Sequence, residues 1–137
     1  MLEIEIIFNG IKSSEMNSFV KDILKIKQEE LINSHLYTES QGDFEYSDDF
    51  NLNEYCSATK PAPACLYVKR LRIVHVFYEV IVFIYSDSVE CSFYENMYHK
   101  EWTNEIAAWL KELCSKGIIE SASIGYEYEE PFVVVTA

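Results

Sequence analysis

At 137 residues, with 49% hydrophobic and 15% aromatic side chains, the chain can bury about two thirds of the surface its unfolded form exposes and needs no external staple. Four Gly and three Pro leave little room for disorder, so one compact domain over residues 1–137 is expected. The net charge of −12, from 23 acidic against 11 basic side chains, disfavours DNA, RNA and anionic membranes as partners and favours a basic protein surface.

The N-terminus, Leu2-Glu3-Ile4-Glu5-Ile6-Ile7-Phe8, carries carboxylates where a signal peptide would be basic. The longest apolar run near the middle, Val80 to Tyr85, is far short of the roughly 20 residues of a membrane-crossing helix. A cytoplasmic protein beginning at Met1, with reduced cysteines, is therefore expected.

In chain order, Leu2 to Phe8 alternates Glu with Ile and reads as a strand closed by Asn9-Gly10. Met16, Phe19, Val20, Ile23, Leu24 and Leu31 then recur at helical spacing behind a Ser13 or Ser14 cap, predicting a first helix that runs to about Ser34. Residues 35–63 hold neither period and read as a long surface excursion, with Thr59-Lys60-Pro61-Ala62-Pro63 extended by its prolines. Leu66 to Tyr85 is strand-forming but too long for one strand, so a break or bulge is placed near Tyr78-Glu79. Ser86-Asp87-Ser88 reads as a turn into a strand over Val89 to Tyr94 with one wet face.

The second helix starts near His99 to Glu101, carries Trp102, Ile106, Trp109, Leu110 and Leu113 on one stripe, and ends at Gly117. Ile118 to Tyr128 and Phe132 to Thr136 close the chain as an antiparallel pair. The sum is an α+β fold: a mostly antiparallel sheet of about 5–6 strands with two amphipathic helices packed on one face.

No residue pattern announces catalysis, a cofactor or a metal. Four scattered glycines make no phosphate loop. Asp49-Phe50-Asn51-Leu52-Asn53-Glu54 begins like a calcium loop, but Glu54 stands where the invariant Gly belongs. Cys56, Cys65, Cys91 and Cys114, with His35, His75 and His99, lack the spacing of zinc ligands. Cys91 with His75 or His99 would form a nucleophile pair only if the fold joined them; burial of Cys91 and a strand role for His75 are the plainer reading.

The acidity is uneven. Residues 41–62 hold five acids and one Lys, and residues 118–137 hold four acids and no base. Within the first stretch, Asp43, Glu45, Asp48, Asp49 and Glu54 interleave with Phe44, Tyr46, Phe50 and Tyr55. Aromatic rings are rigid anchors and carboxylates pair with Arg or Lys, so this segment suits a protein partner whose own ligand is a polyanion. Glu127, Glu129 and Glu130 repeat that chemistry around Tyr126 and Tyr128. The competing reading is that Phe44, Tyr46 and Phe50 pin the excursion to the core while the acids face water.

In size, acidity and interleaved acids and aromatics, the chain resembles the small acidic immunity proteins that bacteria pair with secreted or contact-delivered nuclease toxins. That resemblance implies a non-enzymatic intracellular inhibitor that covers the active site or substrate surface of a basic toxin domain. Phage-encoded anti-CRISPR proteins that mimic nucleic acid share the same character. A pocket between sheet and helices, binding a small molecule or serving an enzyme, is the rival reading, and an oligomer contact through Tyr78, Tyr85 or Tyr94 is a third.

Overall fold

The computed structural model describes residues 2–58 and 62–137. Thr59, Lys60 and Pro61 of the proline-rich stretch lie outside the described residues, as does Met1. The fold is α+β, as expected, but the sheet has eight strands instead of five or six, in the order β3-β2-β4-β5-β6-β1-β7-β8. The described pairings are all antiparallel.

β1 (Glu3–Asn9) lies between β6 (Ser88–Tyr94) and β7 (Ser121–Tyr126). Its alternation sorts cleanly: Ile4, Ile6 and Phe8 are buried on one face, while Glu3, Glu5 and Ile7 occupy the other. Ile6 stands opposite Cys91 and Ile124 on the buried face, and Glu5 opposite Ser92 and Gly125 on the open one. The helical segments sit on the buried face. Phe8 shows why, since its ring contacts Phe19 at 5.2 Å and Trp109 of α3 (Thr103–Ser115) at 6.0 Å. These rings pack the centre of the layer between sheet and helices, and a cavity of about 340 Å³ remains toward the hairpin tip, lined by Ile23, Val74, Trp109 and Leu113.

The first helix is shorter than its stripe suggests. A 3-10 turn at Ser13–Glu15, α1 (Met16–Ser18) and a π turn at Phe19–Ile23 use Met16, Phe19, Val20 and Leu24 as core residues. Lys25 then adopts φ 54, and the chain leaves as β2 (Leu31–Thr38), with Leu31 opposite Val68 of β4. Tertiary pairing wins here over a local helical period.

The stretch over residues 35–63, expected as an excursion without regular structure, contains the second half of β2, the short edge strand β3 (Gly42–Phe44) and α2 (Leu52–Ser57). α2 is held by asparagines: the Asn51 side chain accepts the Glu54 N–H, Asn17 Oδ1 accepts the Leu52 N–H, and Asn53 Oδ1 accepts the Asn17 N–H. Two side-chain oxygens of the calcium-like string are thereby spent on capping and docking a helix.

The long apolar run divides at Val74, φ 65, where β4 (Ala64–Ile73) reverses tightly into β5 (His75–Ile84), and not at Tyr78-Glu79. Glu79 is nevertheless irregular, with φ 54. Burial switches there from Leu66, Val68, Val80 and Val82 to Leu71, Ile73 and Phe77, so the hairpin tip turns its other side chains to the core. Phe77 thereby joins Phe93, Tyr98 and Trp102 in an aromatic group. α3 ends at Gly117, φ 74, and β7 pairs with β8 (Val133–Thr136). No helix among the described residues is long and apolar enough to cross a membrane.

Candidate functional site

The segment singled out in the sequence forms one end of the molecule. β3 is the outermost strand there, and residues 45–51 lead from it into α2. Short local bonds fix this backbone: the Tyr46 N–H donates to Ser34 Oγ at 2.8 Å, Lys21 Nζ donates to the Asp48 carbonyl, and the Phe50 N–H donates to the Ser47 carbonyl at 2.9 Å. Tyr46 and Tyr55 are buried, and burial raises both phenol pKa values above the usual tyrosine range. Phe50 packs between Phe44 and Tyr55, at 5.3 and 5.7 Å. The rings therefore anchor the segment inward, while Asp43, Glu45, Asp48, Asp49 and Glu54 are exposed.

Beside these rings runs a groove of about 590 Å³ with Tyr37, Phe44, Phe50 and Tyr55 along its floor and Glu39 and Glu54 among its lining residues. The Tyr55 hydroxyl crosses its base, donating to the carbonyls of Tyr37 and Ala62. An apolar, aromatic floor with carboxylates at the margin can accept the hydrocarbon stem and cationic head of an Arg or Lys from another protein. Asp43 is already engaged with His35 Nε2 at 2.8 Å, and Asp49 accepts the Ser47 hydroxyl, a bond that lowers the pKa of its carboxyl below the ordinary value.

Glu127, Glu129 and Glu130 are elsewhere. They occupy the turn between β7 and β8, six strand positions from β3, on the order of 30 Å along the sheet. The fold does not bring them to the groove. They join instead an acidic group that sequence reading passed over. Glu3 and Glu127 share a hydrogen bond that raises the pKa of the Glu3 carboxyl and lowers that of Glu127. Glu5 is raised by burial and then by its neighbours Glu90 and Glu127, and Glu90 is raised by burial. The signal for this group was present in the alternation of Glu3 and Glu5 with Ile4 and Ile6, and of Glu90 with Val89 and Cys91.

Of the residues weighed for chemistry, Cys56, Cys91 and Cys114 are buried, His75 is packed on an aromatic ring, and His35 and His99 are exposed. Cys91 is fully buried and burial drives its thiol pKa far up; Cys56 is pushed up to about 11 by the same cause. A thiol so held is a poor nucleophile. His75 stacks on Trp102 at 4.2 Å, with Nε2 3.3 Å from Glu105 Oε2 but outside hydrogen-bond geometry. Among the described residues, no group of His, Cys, Asp and Glu is arranged to hold a metal.

Comparison with known proteins places this architecture. A model of the family described as PABL017 Cdi1I immunity protein matches residues 3–130. A solved structure described as the toxic C-terminal tip of CdiA from Pseudomonas aeruginosa in complex with immune protein contains a similar chain, with TM-score 0.67 and 13% identity. That likeness covers 97% of this chain and 94% of the other, and at this identity it speaks for the fold. No curated protein matches.

Proposed function

Because the chain belongs to the Cdi1I immunity protein family, we propose that it is the stoichiometric inhibitor that neutralises a contact-delivered bacterial toxin by binding the toxin domain. The observation that carries this reading is the family match over residues 3–130, nearly the whole chain. An inhibitor of this kind needs complementary surface and no catalytic machinery, which suits a chain whose Cys56, Cys91 and Cys114 are buried in the core. It acts in the cytoplasm, where a delivered toxin meets its target.

The net charge of −12 favours a basic toxin domain, and a basic domain is what a nuclease presents to nucleic acid. Covering that surface with carboxylates blocks the substrate and accelerates encounter in one stroke. In this reading Asp43, Glu45, Asp48, Asp49 and Glu54 meet the toxin's Lys and Arg, and Tyr46, Phe50 and Tyr55 hold the segment that presents them.

The test uses the cognate toxin domain, sought in the reading frame upstream of this chain's gene. The quadruple variant Asp43→Asn, Glu45→Gln, Asp48→Asn, Asp49→Asn should keep its circular dichroism spectrum, because all four side chains are exposed. Its affinity should fall by about tenfold or more, equivalent to about 1.4 kcal/mol. Undiminished affinity in the folded variant would remove this segment from the interface.

A further inference from the structure

We infer that the open face of the sheet, continuous from His35 and Asp43 beside the groove to Glu3, Glu5, Glu90 and Glu127, is the main docking surface for a basic face of the toxin. The inference rests on the proposed function and extends it from one segment to a whole face.

Register defines the surface. Pairing Cys65 with Phe83, Tyr67 with Ile81, Ile81 with Ser92, and Glu5 with Ser92 sets these side chains on the side opposite Leu66, Val82, Cys91 and Ile6. The buried side carries the helical segments. Among the described residues, the other side is approached at its β7 end, where a Cβ on Gly125 would lie 2.7 Å from the Pro131 Cα. From β2 to β7 the face is five strand spacings wide, about 24 Å, and strands of this length run a similar distance. Its flat area, about 600 Å², approaches the roughly 800 Å² per partner of a standard interface.

Its chemistry follows interface anatomy, with an apolar centre and a charged rim. Tyr67, Ile81 and Phe83 form the centre, each half-buried by its neighbours alone. Asp43 stands on one flank and Glu3 and Glu127 toward the other, while Glu5 and Glu90 reach inward, Glu90 directly opposite Phe83; Tyr94 lies opposite Glu3 and is 43% exposed. Among the described residues, none of those four glutamates pairs with a Lys or Arg. The exposed Lys69, Arg70 and Arg72 stand on the open side of β4 toward the hairpin tip, beyond Val68, and Arg70 is paired with Glu30 at 3.2 Å.

Two further features point to a ligand of opposite charge. The carboxyls of Glu3, Glu5 and Glu90 are all raised, Glu3 by the hydrogen bond it shares with Glu127, Glu5 by burial and then by Glu90 and Glu127, and Glu90 by burial, so this face holds their ionised forms at a cost that a cationic partner would offset. Tyr128, at the same rim, is 97% exposed and held at φ 64, an unfavourable backbone for a bulky residue that contributes nothing to the core. The open face also unites the two acidic stretches of the sequence, since Asp43 and Glu127 stand on its opposite flanks although they are far apart along the sheet.

The experiment compares wild type, Glu5→Gln/Glu90→Gln and Glu112→Gln by calorimetric titration against the cognate toxin domain. Glu112 lies on α3, on the other side of the molecule, paired with Lys116. The double variant should bind at least tenfold more weakly, with a melting temperature equal to or above wild type because two partly buried charges are removed. Glu112→Gln should bind as wild type does. A double variant that binds within twofold of wild type overturns this inference and leaves the proposed function standing. Absence of wild-type binding overturns the proposed function and this inference together.

Discussion

Glu5 and Glu90 make a prediction that needs no partner. Both carboxyls are raised above their usual value of 4.5, Glu5 by burial and then by Glu90 and Glu127, Glu90 by burial. A raised carboxyl binds its proton more tightly in the folded state than in the unfolded chain. The stability this contributes is fully present below 4.5 and is lost as pH rises through the folded value. The melting temperature should therefore rise as pH falls from 7 toward about 5, and Glu5→Gln/Glu90→Gln should blunt that rise. Asp49 has the opposite sign: the Ser47 bond holds its carboxyl below 3.8, so its contribution is lost only in stronger acid and does not confuse the window above. A melting temperature that falls steadily over the same range would contradict the placement of Glu5 and Glu90 on one crowded face.

At the scale of elements, the sheet and the helices are joined through a few large rings. Phe8 is fully buried, with Phe19 on one side and Trp109 on the other, so truncation would leave a hole that neither the first helical segment nor α3 can close alone. Phe8→Ala should cost about 3–5 kcal/mol in urea unfolding. A cost below about 1 kcal/mol would mean that this contact does not join the layers. α3, β1 and the closing β7–β8 pair were legible in the sequence because their periods are clean and their ends are marked by Asn9-Gly10 and Gly117. β2 was not legible. Leu31 falls on the helical stripe of Met16 to Leu24, and only its partner Val68, far along the chain, makes it a strand residue. The turn at Val74 was invisible for a related reason, since a β-branched residue at φ 65 is the opposite of what turn chemistry favours. Of the candidate site, the acidic and aromatic segment could be read directly. The grouping of Glu3, Glu5 and Glu90 could not, because it depends on strand order, which local sequence does not encode.

For the molecule as a whole, the division of labour is between two faces of one sheet. One face carries the helical segments and the core. The other holds an apolar centre with a carboxylate rim, and at its β3 edge a groove floored by aromatic rings. A surface of this kind favours fast, salt-sensitive association with a basic protein domain, the behaviour required of an inhibitor that must reach a delivered toxin before the toxin reaches its target. The most direct test is to titrate this chain into its cognate toxin domain, following heat and residual toxin activity together at low and high salt. We expect activity to vanish at one inhibitor per toxin, with an affinity that weakens as salt rises. Full toxin activity in the presence of excess folded protein, with no heat of binding, would contradict the account.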